Sequence, residues 1–345
     1  MEKSAFSVSG AVTKTAFLKP DANGLGRGAA LLSQGQLVAF ATETVYGLGA
    51  DATDARAVAR VYAAKGRPSF NPLICHYASA AAAFEDVVAS PMAVTLADAF
   101  WPGPLTMVLP RRPESKVALL AGAGLDTLAV RVPRHPDALA LLEAVARPVA
   151  APSANTSGQL SPTEAGHVMA GLGGKIDAVL DSGACPVGVE STVLDLTGPE
   201  AVLLRPGGLA LEAIERLIGP VVRGAGGAAE LRSPGLLASH YAPHLTVRLD
   251  AISVTADEGL LAFGAPLPGA GAVFNLSEQR DLVEAASRLF AGLHWLDASG
   301  QERGHSRIAA MTIPKEGLGL AIHDRLTRAS APRVRTDADD KRSEK

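Results

Sequence analysis

Lys65-Gly66-Arg67-Pro68-Ser69-Phe70-Asn71-Pro72-Leu73-Ile74-Cys75-His76 leads out of a helix, round a stiff turn and into a strand, an α/β junction. Upstream, Asp54 is placed to cap a helix whose apolar face is Val58, Val61 and Tyr62 at helical spacing. Gly66 ends that helix, and Pro68 forbids its continuation. Lys65 and Arg67 therefore sit on a helix exit and a rigid turn. Two cations at this spacing can clamp a polyanion, because the guanidinium fork matches phosphate oxygens bidentately. A lysine in a last helical turn can equally well do no more than complement the helix dipole.

Before this junction, residues 27–35 read as a helix closed by Gly35, and Leu37-Val38-Ala39-Phe40-Ala41 as a buried strand. The strand runs into Thr42-Glu43-Thr44-Val45-Tyr46-Gly47-Leu48-Gly49, which reads as a hydroxyl- and glycine-rich loop at a strand end, a common place for a ligand, though as a bare pattern a plain turn accounts for it better. Neither standard phosphate-binding glycine motif is present. After the junction, residues 92–100 predict a helix ended by Trp101-Pro102-Gly103-Pro104, and Leu105–Leu109 and Thr127–Val132 predict strands. Arg131 lies inside the second of these, on the face opposite Val130 and Val132, where a cation needs an anionic partner or open water.

A helix at 137–146 and a strand at 148–151 lead to Pro152-Ser153-Ala154-Asn155, a second polar loop at a strand end. Ser161-Pro162-Thr163-Glu164 has the form of a capping box with proline at the first helical position. A strand at 177–181, the run Gly188-Val189-Glu190-Ser191-Thr192-Val193-Leu194-Asp195, a strand ending in Arg205-Pro206-Gly207 and a helix to about 218 follow. Roughly eight strands interleaved with helices make one α/β domain of residues 1–222. Residues 223–246, rich in glycine and then proline, predict a linker that could serve as a lid carrying His240 and Tyr241. Residues 247–330 predict a smaller α/β domain, with strands at Thr246–Leu249, Leu260–Phe263 and Ala272–Asn275 and helices near 279–293 and 315–328. Residues 331–345 predict a solvated tail.

The 345 residues carry a formal net charge of -3, which argues against bulk electrostatic binding of nucleic acid and leaves room for a local basic groove. With two cysteines and no His/Cys cluster at ligand spacing, neither a disulfide framework nor a structural zinc site is expected. No run approaches the ~20 apolar residues of a membrane span, so the expected location is the cytoplasm.

Eight motifs, in order, resemble the threonylcarbamoyl-AMP synthase family in its two-domain, YrdC-like form. They are Thr42–Gly49, Lys65–Leu73, Trp101–Thr106, Arg131–Pro133, Pro152–Asn155, Gly188–Val193, Arg205–Gly207 and the run from Ser233 to Pro243. The fold this implies is a twisted open mixed sheet with a large concave groove, followed by a smaller Rossmann-like α/β domain. The implied reaction joins L-threonine, bicarbonate or CO2, and ATP into threonylcarbamoyl-AMP and pyrophosphate. The product passes to a separate transferase complex that modifies tRNA.

Carried over position by position, the resemblance puts the signature catalytic residues at Lys65, Arg67, Ser153 and Asn155. Threonine and its carbamate fall to Thr44, His76, Arg131, Ser153 and Ser191. ATP falls to Lys65, Arg67, Asn71, Thr127, Asn155, Thr163, Arg205 and Tyr241. Magnesium is expected to enter with ATP, without assigned protein ligands, and no organic cofactor is implied. Two rival functions follow from the same domain type: an RNA-binding module using a basic groove, and a carbamoyl transferase using carbamoyl-phosphate. The low aromatic content, 4%, and the absence of a cysteine-rich finger count against them in turn.

Overall fold

The computed structural model describes residues 14–224 and 241–332. All but the first two residues of the expected tail, and most of the expected linker, including His240, lie outside the described residues. The first unit runs β1 (Ala16–Leu18), α1 (Ala22–Ser33), β2 (Val38–Ala41), β3 (Tyr46–Asp51), α2 (Ala55–Lys65), β4 (Ile74–His76), α3 (Ala80–Asp86), α4 (Pro91–Phe100) and β5 (Leu105–Pro110). It continues β6 (Thr127–Arg131), α5 (Pro136–Val145), β7 (Val149–Ala150), α6 (Ala165–Leu172), β8 (Ala178–Leu180), β9 (Thr192–Asp195), β10 (Val202–Arg205), α7 (Leu211–Ile218) and β11 (Val222–Arg223). These strands form one mixed eleven-stranded sheet in the order β1-β8-β2-β3-β7-β4-β6-β5-β9-β10-β11.

The junction at Lys65 folds as its residues require. The Asp54 side chain accepts from the Arg56 amide at the start of α2, and Gly66 closes the helix in the left-handed conformation, φ 60°. Val58, Val61 and Tyr62 are buried as part of the main core cluster packed on the sheet. The register then brings distant loops together. His76 stands beside Arg131 in the parallel pair β4·β6, and Gly47 bridges Ser153. Ser191 precedes β9, whose Thr192 pairs with Leu105.

Two local expectations are corrected. Thr42–Gly49 is a tight turn followed by a strand rather than a loop. Thr42 Oγ1 donates to the Val45 carbonyl at 2.7 Å, and β3 then pairs antiparallel with β2, Gly49 lying opposite Val38. Glycine suits this strand because a Cβ on Gly49 would come within 2.9 Å of the Phe40 ring. The capping box does not form either. Helix α6 starts at Ala165 with Glu164 at its N-cap making no side-chain cap bond, and the Ser161 hydroxyl donates instead to Glu190. A buried carboxylate outcompetes a helix end for that hydroxyl, since a charged acceptor makes the stronger bond.

The second unit is β12 (Thr246–Arg248), β13 (Glu258–Ala262), β14 (Ala272–Asn275), α8 (Leu282–Arg303), β15 (Arg307–Ala310) and α9 (Gly319–Ser330). Its four strands are all parallel, in the order β12-β15-β13-β14, as expected of a small Rossmann-like domain. Strand β15, which follows α8 almost directly, was not foreseen. The two units are in intimate contact. A Cβ on Gly188, φ 74°, would fall 2.4 Å from the Ser287 backbone on α8. The His167 and His294 rings stack across the same boundary, with centroids 3.9 Å apart.

Candidate active site

The ends of β2, β4, β6 and β7, the loop before β9 and the end of β10 converge on one cavity. Its walls include Thr44, Arg67, His76, Arg131, Ser153, Ser191, Arg205 and Tyr241. Eight of the residues proposed from the sequence are thus brought together from six separate motifs, the strand after Lys65–Leu73 and the linker end. Five others are not on the cavity wall: Lys65, Asn71, Thr127, Asn155 and Thr163.

Lys65 is 1% exposed, and its ammonium donates to the carbonyls of Ser153 and Asn155. It therefore ties the exit of α2 to the Pro152–Asn155 loop. Burial, with the Arg67 charge adding, holds its pKa well below the usual lysine range. Asn155 Nδ2 donates to the Thr156 and Gln159 carbonyls, which orients its amide. Asn71 Oδ1, Asn155 Oδ1 and Thr163 Oγ1 are buried with no hydrogen-bond partner among the described residues. Such orphans are costly unless a ligand or water meets them. Thr127 opens β6 opposite Pro110 and is half-buried.

Three guanidiniums dominate the cavity's electrostatics. Arg67 donates through Nε to the Asn71 carbonyl at 3.2 Å and through Nη2 to the Pro72 carbonyl at 3.0 Å. Burial lowers its pKa to about 10, so it stays a cation at neutral pH. Arg205 donates to the Ser191 carbonyl from both Nε (3.2 Å) and Nη2 (2.9 Å). Arg131 has found the anionic partner its position demanded: Nη2 donates to Glu43 Oε1 at 2.6 Å, and Nη1 donates to Thr44 Oγ1 at 3.0 Å. His76 faces the same space as a neutral ring, because burial and the Arg131 charge lower its pKa to about 3.

Glu190 lines the cavity as well. Burial raises its pKa, but the charges of Arg325 and Arg205 and the bonds from Ser161 and Arg325 outweigh that and hold it at about 2. Tyr241, in a left-handed conformation with φ 60°, packs its ring on Phe290 at 5.6 Å. Glu43, Glu190 and Arg325 were not assigned to the site from the sequence. For the two glutamates a signal existed, since each sits inside a motif whose other members line the cavity. For Arg325 the sequence held none.

An open mixed sheet that gathers three guanidiniums, five side-chain hydroxyls and a neutral histidine around one cavity, backed by a small parallel domain, defines the class: an α/β enzyme with a cationic site. The family model described as "Telomere recombination" matches residues 30–207, and that described as "Threonylcarbamoyl-AMP synthase, C-terminal domain" matches residues 209–331. The threonylcarbamoyl-AMP synthase of Pyrococcus abyssi is 44% identical over 329 residues, spanning 89% of this chain and 94% of its own. That of Bacillus subtilis is 40% identical over 330 residues, spanning 90% and 94%. The crystal structure of P. abyssi Sua5 complexed with L-threonine superimposes with a TM-score of 0.83 at 40% identity, covering 92% of this chain and 98% of that one. The chain belongs to the threonylcarbamoyl-AMP synthase family. Among the described residues no helix is long and apolar enough to cross a membrane.

Proposed function

We propose that this enzyme condenses L-threonine, bicarbonate or CO2, and ATP into threonylcarbamoyl-AMP and pyrophosphate, supplying a tRNA-modifying transferase in the cytoplasm. One observation carries the reading: Arg67, Arg131 and Arg205 converge on a single cavity also lined by the hydroxyls of Thr44, Ser153 and Ser191. On this reading, the Arg131 side, with Thr44, His76, Ser153 and Ser191, takes threonine. The Arg131 guanidinium, already aligned by Glu43, offers its charge to the amino acid's carboxylate. The Arg67 and Arg205 side, with Tyr241, takes the nucleotide, and the unpartnered atoms of Asn71, Asn155 and Thr163, off the cavity wall, are polar groups that a nucleotide extending past that wall would satisfy.

Threonine's amine captures CO2 as a carbamate. A carbamate oxygen then attacks the α-phosphorus of ATP, and the bond to the β-phosphate oxygen breaks to release pyrophosphate. No protein nucleophile is required. The residues work by positioning, which can supply roughly 7–11 kcal/mol, and by neutralising phosphate charge with guanidiniums already in place. His76, neutral at working pH, adds a hydrogen-bonding group without adding charge. Lys65 acts through the loop that it grips, presenting Ser153 and Asn155.

The described residues do not fit a protein-held magnesium ion. No group of three or more His, Cys, Asp or Glu side chains among them could hold a metal; Glu190 on the cavity wall is engaged by Arg325, and Glu43, behind the wall, by Arg131. Magnesium would accordingly enter on the nucleotide's phosphates, where it would neutralise part of their charge.

The test is pyrophosphate release from ATP with magnesium and bicarbonate. Release that depends on L-threonine, with serine much poorer, is the expected result. Folded protein that releases none would overturn the reading.

A further inference from the structure

Arg325 lies on α9, outside the sheet that builds the cavity, yet its side chain is spent on the cavity's wall. It is fully buried. Nε donates to Glu190 Oε2 at 2.7 Å, and Nη1 donates to the Pro206 carbonyl at 3.0 Å and to Asp324 Oδ2 at 2.6 Å. Its guanidinium carbon sits 5.2 Å from the centroid of the Tyr241 ring. Glu190 immediately precedes Ser191, and Pro206 immediately follows Arg205. One side chain from the second unit therefore touches, directly or one residue away, four residues of the cavity wall: Glu190, Ser191, Arg205 and Tyr241.

We propose that Arg325 is a positioning residue of the synthase site, holding the Glu190 carboxylate against α9 so that Ser191, Arg205 and Tyr241 keep their substrate-facing geometry. The assignment rests on the function proposed above. The groups facing Glu190 are Arg325 from α9, Arg205 from β10, Ser161 ahead of α6, and Tyr241 ahead of β12, with Asp324 on the far side of Arg325. Among these, Arg205 is the second cation that stabilises the carboxylate. With Arg325 gone, Glu190 turns its whole field on Arg205, the guanidinium assigned to ATP. The damage then falls on the nucleotide side, and removing the Glu190 charge as well repairs it.

The experiment compares wild type with R325Q, R325K and the double variant E190Q/R325Q in threonine-dependent pyrophosphate release. For R325Q the expected result is a fall in kcat/KM of about a hundredfold, the scale of a misplaced active-site group. The KM for ATP should rise more than that for threonine. The double variant should recover roughly tenfold of the loss, because no buried carboxylate is left without its partner. R325K, which keeps charge but not the planar fork, should fall between wild type and R325Q, and it carries the comparison where R325Q does not fold. Wild-type kinetics in R325Q, or a double variant no better than R325Q, would overturn the proposal. The rise in Tm on adding ATP reads the same geometry without turnover: it should be large in wild type, small in R325Q and partly restored in the double variant. A wild type that binds ATP but makes no pyrophosphate would sink the proposed reaction alone, and the Tm series would still decide on Arg325.

Discussion

Arg131 reaches the cavity already paired with Glu43, so a substitution there acts on two charges at once. Arg131→Ala leaves a buried carboxylate with one remaining bond, from the Arg134 amide at 2.9 Å, and should destabilise the fold by about 3–5 kcal/mol. Arg131→Lys keeps a cation beside Glu43. It should fold, and it should raise the KM for threonine more than the KM for ATP in the pyrophosphate assay. The opposite ranking would move Arg131 to the nucleotide side. From the sequence, a cation between two valines called for an anion or open water. It could not say which anion, because Glu43 is 88 residues away and only the run of pairings β2·β3, β3·β7, β7·β4 and β4·β6 brings the two together. Lys65 was legible as a fixed cation but not as a carbonyl-binding one: the direction of its ammonium depends on where the Pro152–Asn155 loop lies, and that is set by the sheet.

Helices with clear punctuation were readable nearly to the residue. Helix α2 begins after Asp54 and stops at Gly66 as its capping chemistry dictates. The failures occurred where a tertiary partner outbid a local one, as Glu190 did for Ser161, or where glycine in a strand looked like a turn, as in Tyr46–Asp51. Two glycines show the difference between a local and a tertiary requirement. Gly66 needs only its left-handed conformation, and a Cβ there would meet nothing within 4 Å. Gly66→Ala should cost about 1 kcal/mol. Gly188 has the same kind of backbone, but α8 also lies directly against it. Gly188→Ala should cost roughly 2–4 kcal/mol, an overpacking cost added to the conformational one. Denaturant midpoints of the two variants would check the ranking, and equal losses would show that α8 yields without cost.

At the scale of the molecule, the buried histidines set the response to acid. Burial lowers His76 to about 3 and His294 to about 4, against 6.5 for an ordinary histidine. The unfolded chain therefore binds protons that the folded one refuses, and stability falls as pH drops from about 6.5 towards 4. Glu190, held at about 2, adds a further loss below the usual glutamate value of 4.5. The Tm should decline steadily over that range, and the paired variant His76→Gln/His294→Gln should flatten its upper part. An unchanged slope would mean that these rings already carry protons in the folded state. The sequence disclosed the two-unit plan through its composition and motif order. It did not disclose that the second unit reaches into the site, since nothing in the pattern of α9 distinguishes Arg325 from a surface arginine.

That reach has a consequence in time. A ribosome delivers Arg67, Arg131, Ser191 and Arg205 well before α9, so a nascent chain can pair its strands while Glu190 still lacks its guanidinium. On the role proposed for Arg325, the enzyme comes into full activity only after translation has passed that residue, and a prematurely terminated product is a poor consumer of ATP.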